Sequence, residues 1–233
     1  MKEKHQDYIY IKENYIKKPK ETFIFLSKLI KSKKHTVSLL DLGCAKGEFL
    51  FYLEKIFKGK IDLMGVDYSP KLIREAKEYN LKSKIKFIKN DAEKIKIKKK
   101  FDYIIASGLV SYFDNIEIFL KNSIKHLKKN GQLIILDNFN KYDIDVIVRY
   151  RDNYNKFKNF EKGWNLHSIR TIKKIISPKK YKINLKKFNL SFKLKKKKDA
   201  MRSWQVNLDK KKMFMNGLSQ IFEIEALIIT KSN

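Results

Sequence analysis

The sequence predicts an α/β fold: a parallel sheet with helices on both faces. Three observations carry this. Five short apolar runs of strand length lie between residues 37 and 137, and three of them are followed by amphipathic stretches of helix length. The runs end at small or acidic residues, Gly43, Asp67, Asp91, Ser107 and Asp137. The chain, at 233 residues, is long enough to bury a substantial core as one domain. Strand and helix alternating at short intervals imply right-handed crossovers and a parallel sheet, and such sheets bind ligands at the carboxyl ends of their strands.

In chain order, apolar residues Tyr8, Ile11, Tyr15 and Ile16, then Phe23, Ile24, Leu26, Leu29 and Ile30, predict two helical segments divided by Pro19. Val37, Leu39, Leu40 and Leu42 predict a buried strand that leaves through Asp41-Leu42-Gly43-Cys44-Ala45-Lys46-Gly47 into a helix over Glu48–Phe57. Gly43 and Gly47 let the backbone come close to a ligand, and the unpaired N–H groups of the helix start face a polar or anionic one. A second strand over Lys60–Asp67 ends in an acid 24 residues after Gly43, the spacing at which an acid accepts hydrogen bonds from ribose hydroxyls. Ser69-Pro70 then starts a helix to about Asn80.

Strands are further predicted over Lys84–Lys89, before Asn90-Asp91-Ala92, and over Phe101–Ala106, before Ser107-Gly108. Asp114 and Glu117 read as a capping box for a helix over Asn115–Lys129 that Asn130-Gly131 ends, and Gln132–Leu136 reads as a fifth strand. The long connection Asn138–Ile183 interleaves Tyr142, Arg149, Tyr150, Arg151, Tyr154, Phe157, Phe160, Trp164 and His167 before Ser168 caps a helix to about Ile176. Such a connection suits a lid over a polar small molecule or a helical insertion with its own core. A strand over Lys182–Phe192, a hairpin pairing Arg202–Leu208 with Lys211–Met215 about Asp209-Lys210, and a last strand over Glu223–Thr230 close the chain.

Composition narrows the function classes. One cysteine, Cys44, excludes an internal disulfide framework and a multi-cysteine metal site. The apolar residues form no run of about 18 to 20, so a soluble, unexported, cytoplasmic protein with no membrane contact is expected. The formal charge is +29, carried almost wholly by lysine, since arginine occurs only at 74, 149, 151, 170 and 202. A dedicated nucleic-acid binder would use arginine for bidentate contacts, so the lysine excess reads as compositional drift rather than an RNA surface.

DLGCAKG is similar to the first motif of class I S-adenosylmethionine-dependent methyltransferases, D/E-x-G-x-G-x-G, with Ala45 in place of the middle glycine. GVDYS resembles their second motif, NDAEKI their third, and FDYIIASGLVSYF and LKKNGQLIILDN their fourth-strand and fifth-strand segments. The resemblance covers residues 36–137 by motif and extends more loosely to the C-terminus. It implies a Rossmann-like, seven-stranded, mostly parallel sheet with an antiparallel last strand, helices on both faces, a helical insertion and a C-terminal hairpin. One methyltransferase domain would then fill 1–233: N-terminal helices to 35, a cofactor core over 36–137, a substrate insertion over 138–181 and C-terminal strands over 182–233. A nicotinamide or flavin domain fits less well, because its G-x-G-x-x-G meets Ala45 and Glu48, and Glu48 would face a pyrophosphate.

The resemblance also implies site roles. Gly43, Cys44, Ala45 and Gly47 approach the methionine and ribose part, Asp41 orients the methionine end, Asp67 with Tyr68 serves the ribose, and Asp91 with Ala92 serves the adenine. Ser107 borders the transferring methyl, and Cys44 is a bystander as a nucleophile. His167 and Tyr112 are the candidate catalytic residues; a histidine beside the strand ends suits a general base near neutral pH, while a surface position at a helix start is its plainer reading. No metal ligand set is expected. Ser107-Gly108-Leu109-Val110 lacks the prolines of base-amino methyltransferases and a Pro-Cys nucleophile is missing, which disfavours DNA acceptors. The hairpin with Trp204 and Asn216-Gly217 loosely resembles bacterial sugar-modification methyltransferases, so a small molecule bearing a hydroxyl or amine, such as a sugar, is the first acceptor class. RNA methylation and a non-catalytic scaffold are the alternatives.

Overall fold

The computed structural model describes residue 10 and residues 18–32, 34–79, 81–151, 159–176, 180–196, 199 and 202–231. The first predicted N-terminal segment, with Tyr8, Ile11, Tyr15 and Ile16, lies outside them. The second forms helix α1, Glu21–Ser27, immediately after Pro19 and Lys20. Strand β1, Val37–Leu42, is buried along its length and leads to helix α2, Glu48–Phe57. Strand β2, Ile61–Asp67, is followed by helix α3, Pro70–Tyr79, whose start Ser69 caps by accepting from the Leu72 N–H at 3.4 Å. Strands β3, Lys86–Lys89, and β4, Phe101–Ser107, complete the first half.

After a short 3-10 turn, Val110–Tyr112, helix α4 spans Ile116–Lys125 and buries Ile116, Phe119, Leu120 and Ser123, the i, i+3, i+4, i+7 stripe of a helix packed on a sheet. Its cap is Asn115, whose side chain accepts from the Glu117 N–H at 2.8 Å. The expected Asp114 capping box is not formed, because Asp114 is taken by cations from the later insertion. Strand β5 also starts earlier than expected, running Leu127–Asn140. Leu127 is fully buried and pairs with Phe101, and the next partners are Tyr103 and Gln132, so Lys128–Gly131 bulges out within the strand. The Asn130-Gly131 turn signal is real, with Asn130 at φ 57, but it makes a bulge inside a strand rather than a helix end.

The strand order is β3-β2-β1-β4-β5, all parallel, continued by β13, Ile224–Lys231, which lies antiparallel to both β5 and β9, Tyr181–Lys187. This is the expected seven-stranded Rossmann-like sheet with its antiparallel last strand. Strand β9 stops five residues short of its predicted end, since Phe188 turns into the core and donates its N–H to the Ile224 carbonyl. Helices α1, α2 and α3 pack on one face and α4 and α5, Ile169–Ile175, on the other. Each face has its own apolar cluster.

Among the described residues, the insertion after β5 has no helix before α5. It holds a ribbon of β6, Arg149–Tyr150, with β7, Glu161–Lys162, and then β8, His167–Ser168, which pairs parallel to the end of β5. Ser168 caps α5 as expected, accepting from the Arg170 N–H. Tyr154 and Phe157 lie outside the described residues. Strands β10, Trp204–Leu208, and β11, Lys211–Met215, form the expected hairpin, with Asp209 at φ 45 and Lys210 at φ 65 giving the twist that a two-residue turn needs. A short β12, Ile221–Phe222, adds to it. Phe222 packs edge-on to Trp164 of the insertion at 5.8 Å. The two additions to the sheet therefore support each other.

Candidate active site at the strand ends

The loop from β1 to α2 is held by its backbone shape. Gly43 has φ 74, Ala45 φ 47 and Gly47 φ 78, while the Gly43 and Cys44 N–H groups both bond the Val66 carbonyl. The sequence suggested that the glycines make room for a ligand. The structure gives them a different neighbour: a Cβ on Gly47 would sit 2.5 Å from Phe87 Cζ, and one on Gly43 would sit 3.1 Å from Leu109. Ala45 takes the left-handed conformation without being glycine, at a cost of about 1–2 kcal/mol.

Two buried carboxylates flank this loop. Asp67 ends β2, and its two oxygens accept from the Ala45 N–H and the Ser69 N–H, each at 2.9 Å. Asp41 is buried, and no described residue donates a hydrogen bond to its carboxylate. Burial, and then the nearby charge of Asp67, push the Asp41 carboxyl well above its ordinary range. A buried acid in that condition is stabilised by a cation or a donor from outside the chain.

The remaining loop residues divide. Cys44 turns its thiol into the core against Gly65; burial pushes its pKa up, and Asp41 and Asp67 push it further. The thiol is inert, and only the Cys44 backbone borders the loop. Lys46 reaches back to Glu75 of α3, and Glu48 meets Lys20 at 3.3 Å. Asp91 is exposed and accepts from the Glu93 N–H, Ala92 is buried, and Tyr68 and Ser107 are half-buried. The Asn90 N–H donates to the Asp67 carbonyl, tying the β3 loop to the β2 end.

The segment after β4 is gripped from several sides. Asp137, at the end of β5, accepts from the Ser111 N–H at 3.2 Å and the Asn138 N–H at 2.9 Å. Burial raises the Asp137 carboxyl to about 6, with the Asn138 and Ser111 hydrogen bonds acting against that rise. Asn165 donates to the Phe113 carbonyl at 2.9 Å and to Asp114 at 3.2 Å, and accepts from the Val148 N–H. Burial works to raise the Asp114 carboxyl, but Lys162, Arg149 and Asn165 outweigh it and hold it at about 2.

Both candidate catalytic residues sit in this assembly. Tyr112 accepts from the Trp164 indole N–H at 3.1 Å, and burial pushes its phenol well above the ordinary range. His167 is 3 % exposed, which removes the surface reading, and its Nε2 lies 3.0 Å from the Phe113 carbonyl and 3.2 Å from the Val110 carbonyl. With only carbonyl partners, that nitrogen is a donor. Burial lowers the His167 pKa, with the Val110 and Phe113 carbonyls and the charges of Asp145 and Asp114 acting against that shift. Sequence reasoning named Trp164 only among the aromatics of the insertion and Asp137 only as a strand end, and it passed over Asn165 and Asn138 although Leu-Asp-Asn at a strand end was visible.

A family described as a methyltransferase domain matches residues 33–206. The chain belongs to this methyltransferase family. The ubiquinone biosynthesis O-methyltransferase of Pelagibacter ubique is 36% identical over 128 residues, 54% of this chain and 50% of that protein. A malonyl-[acyl-carrier protein] O-methyltransferase of Bacillus cereus is 26% identical over 121 residues, 52% of this chain and 45% of that protein. The methyltransferase chain thus spans about half the length of the curated relatives it matches. Among solved structures, an S-adenosylmethionine-dependent methyltransferase assigned in Listeria monocytogenes aligns with a TM-score of 0.64 at 14% identity, covering 91% of this chain and 99% of that one. The glycopeptide N-methyltransferase MtfA, in complex with S-adenosylmethionine, aligns at 0.60 and 7% identity, covering 91% of this chain and 93% of that one. These likenesses establish the methyltransferase fold. Among the described residues, no helix is long and apolar enough to cross a membrane.

Proposed function

We propose that this methyltransferase binds S-adenosylmethionine across the ends of β1 and β2 and transfers its methyl group to an oxygen of a small acceptor that arrives ionised. The observation that carries the reading is the left-handed loop with Asp41 and Asp67 beside it. The donor set suits that cofactor: Asp41, buried with no donor among the described residues, fits the ammonium of its methionine part, and Asp67, whose carboxylate fixes the Ala45 and Ser69 N–H groups beside the loop, is the acid placed for the ribose hydroxyls. Gly43, Cys44, Ala45 and Gly47 would contribute backbone, Tyr68, Asp91 and Ala92 the adenosine side, and Ser107 the border with the acceptor. Bound there, the cofactor supplies a methyl already activated by its sulfonium.

The protein's work is then to hold the acceptor in line, exclude water and set charge. Tyr112 keeps its own proton at neutral pH, and His167 Nε2 donates to two carbonyls, so both residues position the turn after β4. An acceptor already ionised, such as a carboxylate or an acidic phenol, needs no strong base, and a chain of net charge +29 attracts it. The two relatives named above are both O-methyltransferases, which favours oxygen over nitrogen and gives a sugar hydroxyl no particular support.

Calorimetric titration with S-adenosylhomocysteine is expected to show one site, weakened at least about tenfold by Asp41→Asn. A silent titration of the parent protein would sink the cofactor reading. Labelled methyl transfer is then compared for a carboxylate, a phenol, an amine and a sugar, with the product weighed by mass spectrometry. Transfer confined to the amine or the sugar refutes the ionised-oxygen reading.

A further inference from the structure

The side-chain Nδ2 of Asn138 is buried and has no hydrogen-bond partner among the described residues, in a residue only 4 % exposed. Buried amides are nearly always paired, because an unpaired donor forfeits its bonds to water. Ser123 Oγ, also buried and without a partner among the described residues, lies in the last turn of α4, away from the carboxyl ends of the strands.

Register places Asn138 in the site. Residues alternate faces along β5, so Asn138 lies on the face of Ile134 and Leu136, which belong to the cluster beneath α1 and α2. Leu136 pairs with Ser107 and Ile105 pairs with Asp41, so Ser107, Asp41 and Asn138 all lie on that face near the carboxyl edge. Asn138 is two strands from β1, about 10 Å at the usual spacing. That is the span of a small acceptor beside the cofactor loop. On its other side Asn138 pairs with Ile224 of β13, whose side chain packs with the same cluster.

We propose that the Asn138 amide is a specificity-determining donor that binds a carbonyl or carboxylate oxygen of the methyl acceptor and so aligns it beside Ser107. The assignment rests on the methyl-transfer reading. It adds a requirement: the acceptor carries a hydrogen-bond-accepting oxygen next to the one that is methylated, as a carboxylate or an ortho-oxygenated phenol does. A simple alcohol or amine leaves the donor unpaired and is rejected.

The test uses Asn138→Leu and, in case the larger change disturbs packing, Asn138→Ala. Probes are S-adenosylhomocysteine for binding, and a malonyl thioester, catechol and phenol as acceptors with labelled cofactor. Both variants are expected to bind S-adenosylhomocysteine within about twofold of the parent and to lose about tenfold or more in kcat/KM for the malonyl thioester or catechol, one buried hydrogen bond's worth, while activity on phenol stays low and unchanged. Asn138→Leu is also expected to melt higher, since it removes the unpaired donor. Unchanged kcat/KM in both variants overturns the assignment and leaves the methyl-transfer reading intact. Weakened S-adenosylhomocysteine binding overturns it too, making Asn138 a cofactor contact. A parent protein that binds no S-adenosylhomocysteine overturns both.

Discussion

Replacing Gly47 by alanine tests whether the loop glycines serve the ligand or the fold. Two costs are visible. The φ of 78 places any side chain in the left-handed region, at about 1–2 kcal/mol, and the added Cβ would lie 2.5 Å from Phe87 Cζ, in a packed core where overfilling costs about 1–3 kcal/mol more. Gly59 isolates the first cost. It has the same φ of 78, nothing within 4 Å of its Cβ, and a position at the far end of α2. Gly59→Ala should therefore lose about 1–2 kcal/mol and Gly47→Ala about 2–5 kcal/mol, at roughly 2 °C of melting temperature per kcal/mol for a chain this long. Urea and thermal unfolding read both, and Phe87→Leu in the Gly47→Ala background should return the excess but not the shared part. Equal losses at Gly47 and Gly59, or no recovery with Phe87→Leu, would refute the packing argument and return Gly47 to a role against the ligand alone.

Two further predictions concern the segment after β4. Asp137 has a folded pKa of about 6 against an ordinary 3.8, so its protonated form favours the fold; that contribution is complete below 3.8 and is lost as pH rises to 6. Asp137→Asn should thus flatten the stability profile between those values, and an unchanged slope in urea melts across pH 4–7 would count against it. Tyr112→Phe removes the acceptor of the half-buried Trp164 N–H and should cost about 0.5–1.5 kcal/mol, read as a lower melting temperature, whereas Tyr112→Phe paired with Trp164→Phe should cost less than the two single changes together.

Much of the cofactor side was legible because its signals are local. A glycine-bearing turn after an apolar run, an acid at the end of the next run, and Ser69-Pro70 before a helix are each set within a few residues by φ preference, capping or burial. The same reasoning misjudged the stretch around Asn130-Gly131. A turn signal there is compatible with either a helix end or a bulge, and the choice was made by Leu127 pairing with Phe101 across the sheet. Asp114 was misjudged for a similar reason. Its sequence neighbours suggest a cap, and Arg149 and Lys162, distant in sequence, claim it.

By itself, then, the sequence determined the five parallel strands, the two carboxylates at the ends of β1 and β2, and the inert place of Cys44 in the loop, since each follows from patterns that repeat over two to four residues. Only the tertiary structure decided that Gly47 is required by Phe87, that His167 donates to carbonyls rather than facing solvent, and that Asn138 buries an amide with no partner among the described residues. Those outcomes depend on which atoms from distant segments share a few ångströms. A missing hydrogen-bond partner in particular is a property of the packed surroundings and leaves no trace in the order of residues.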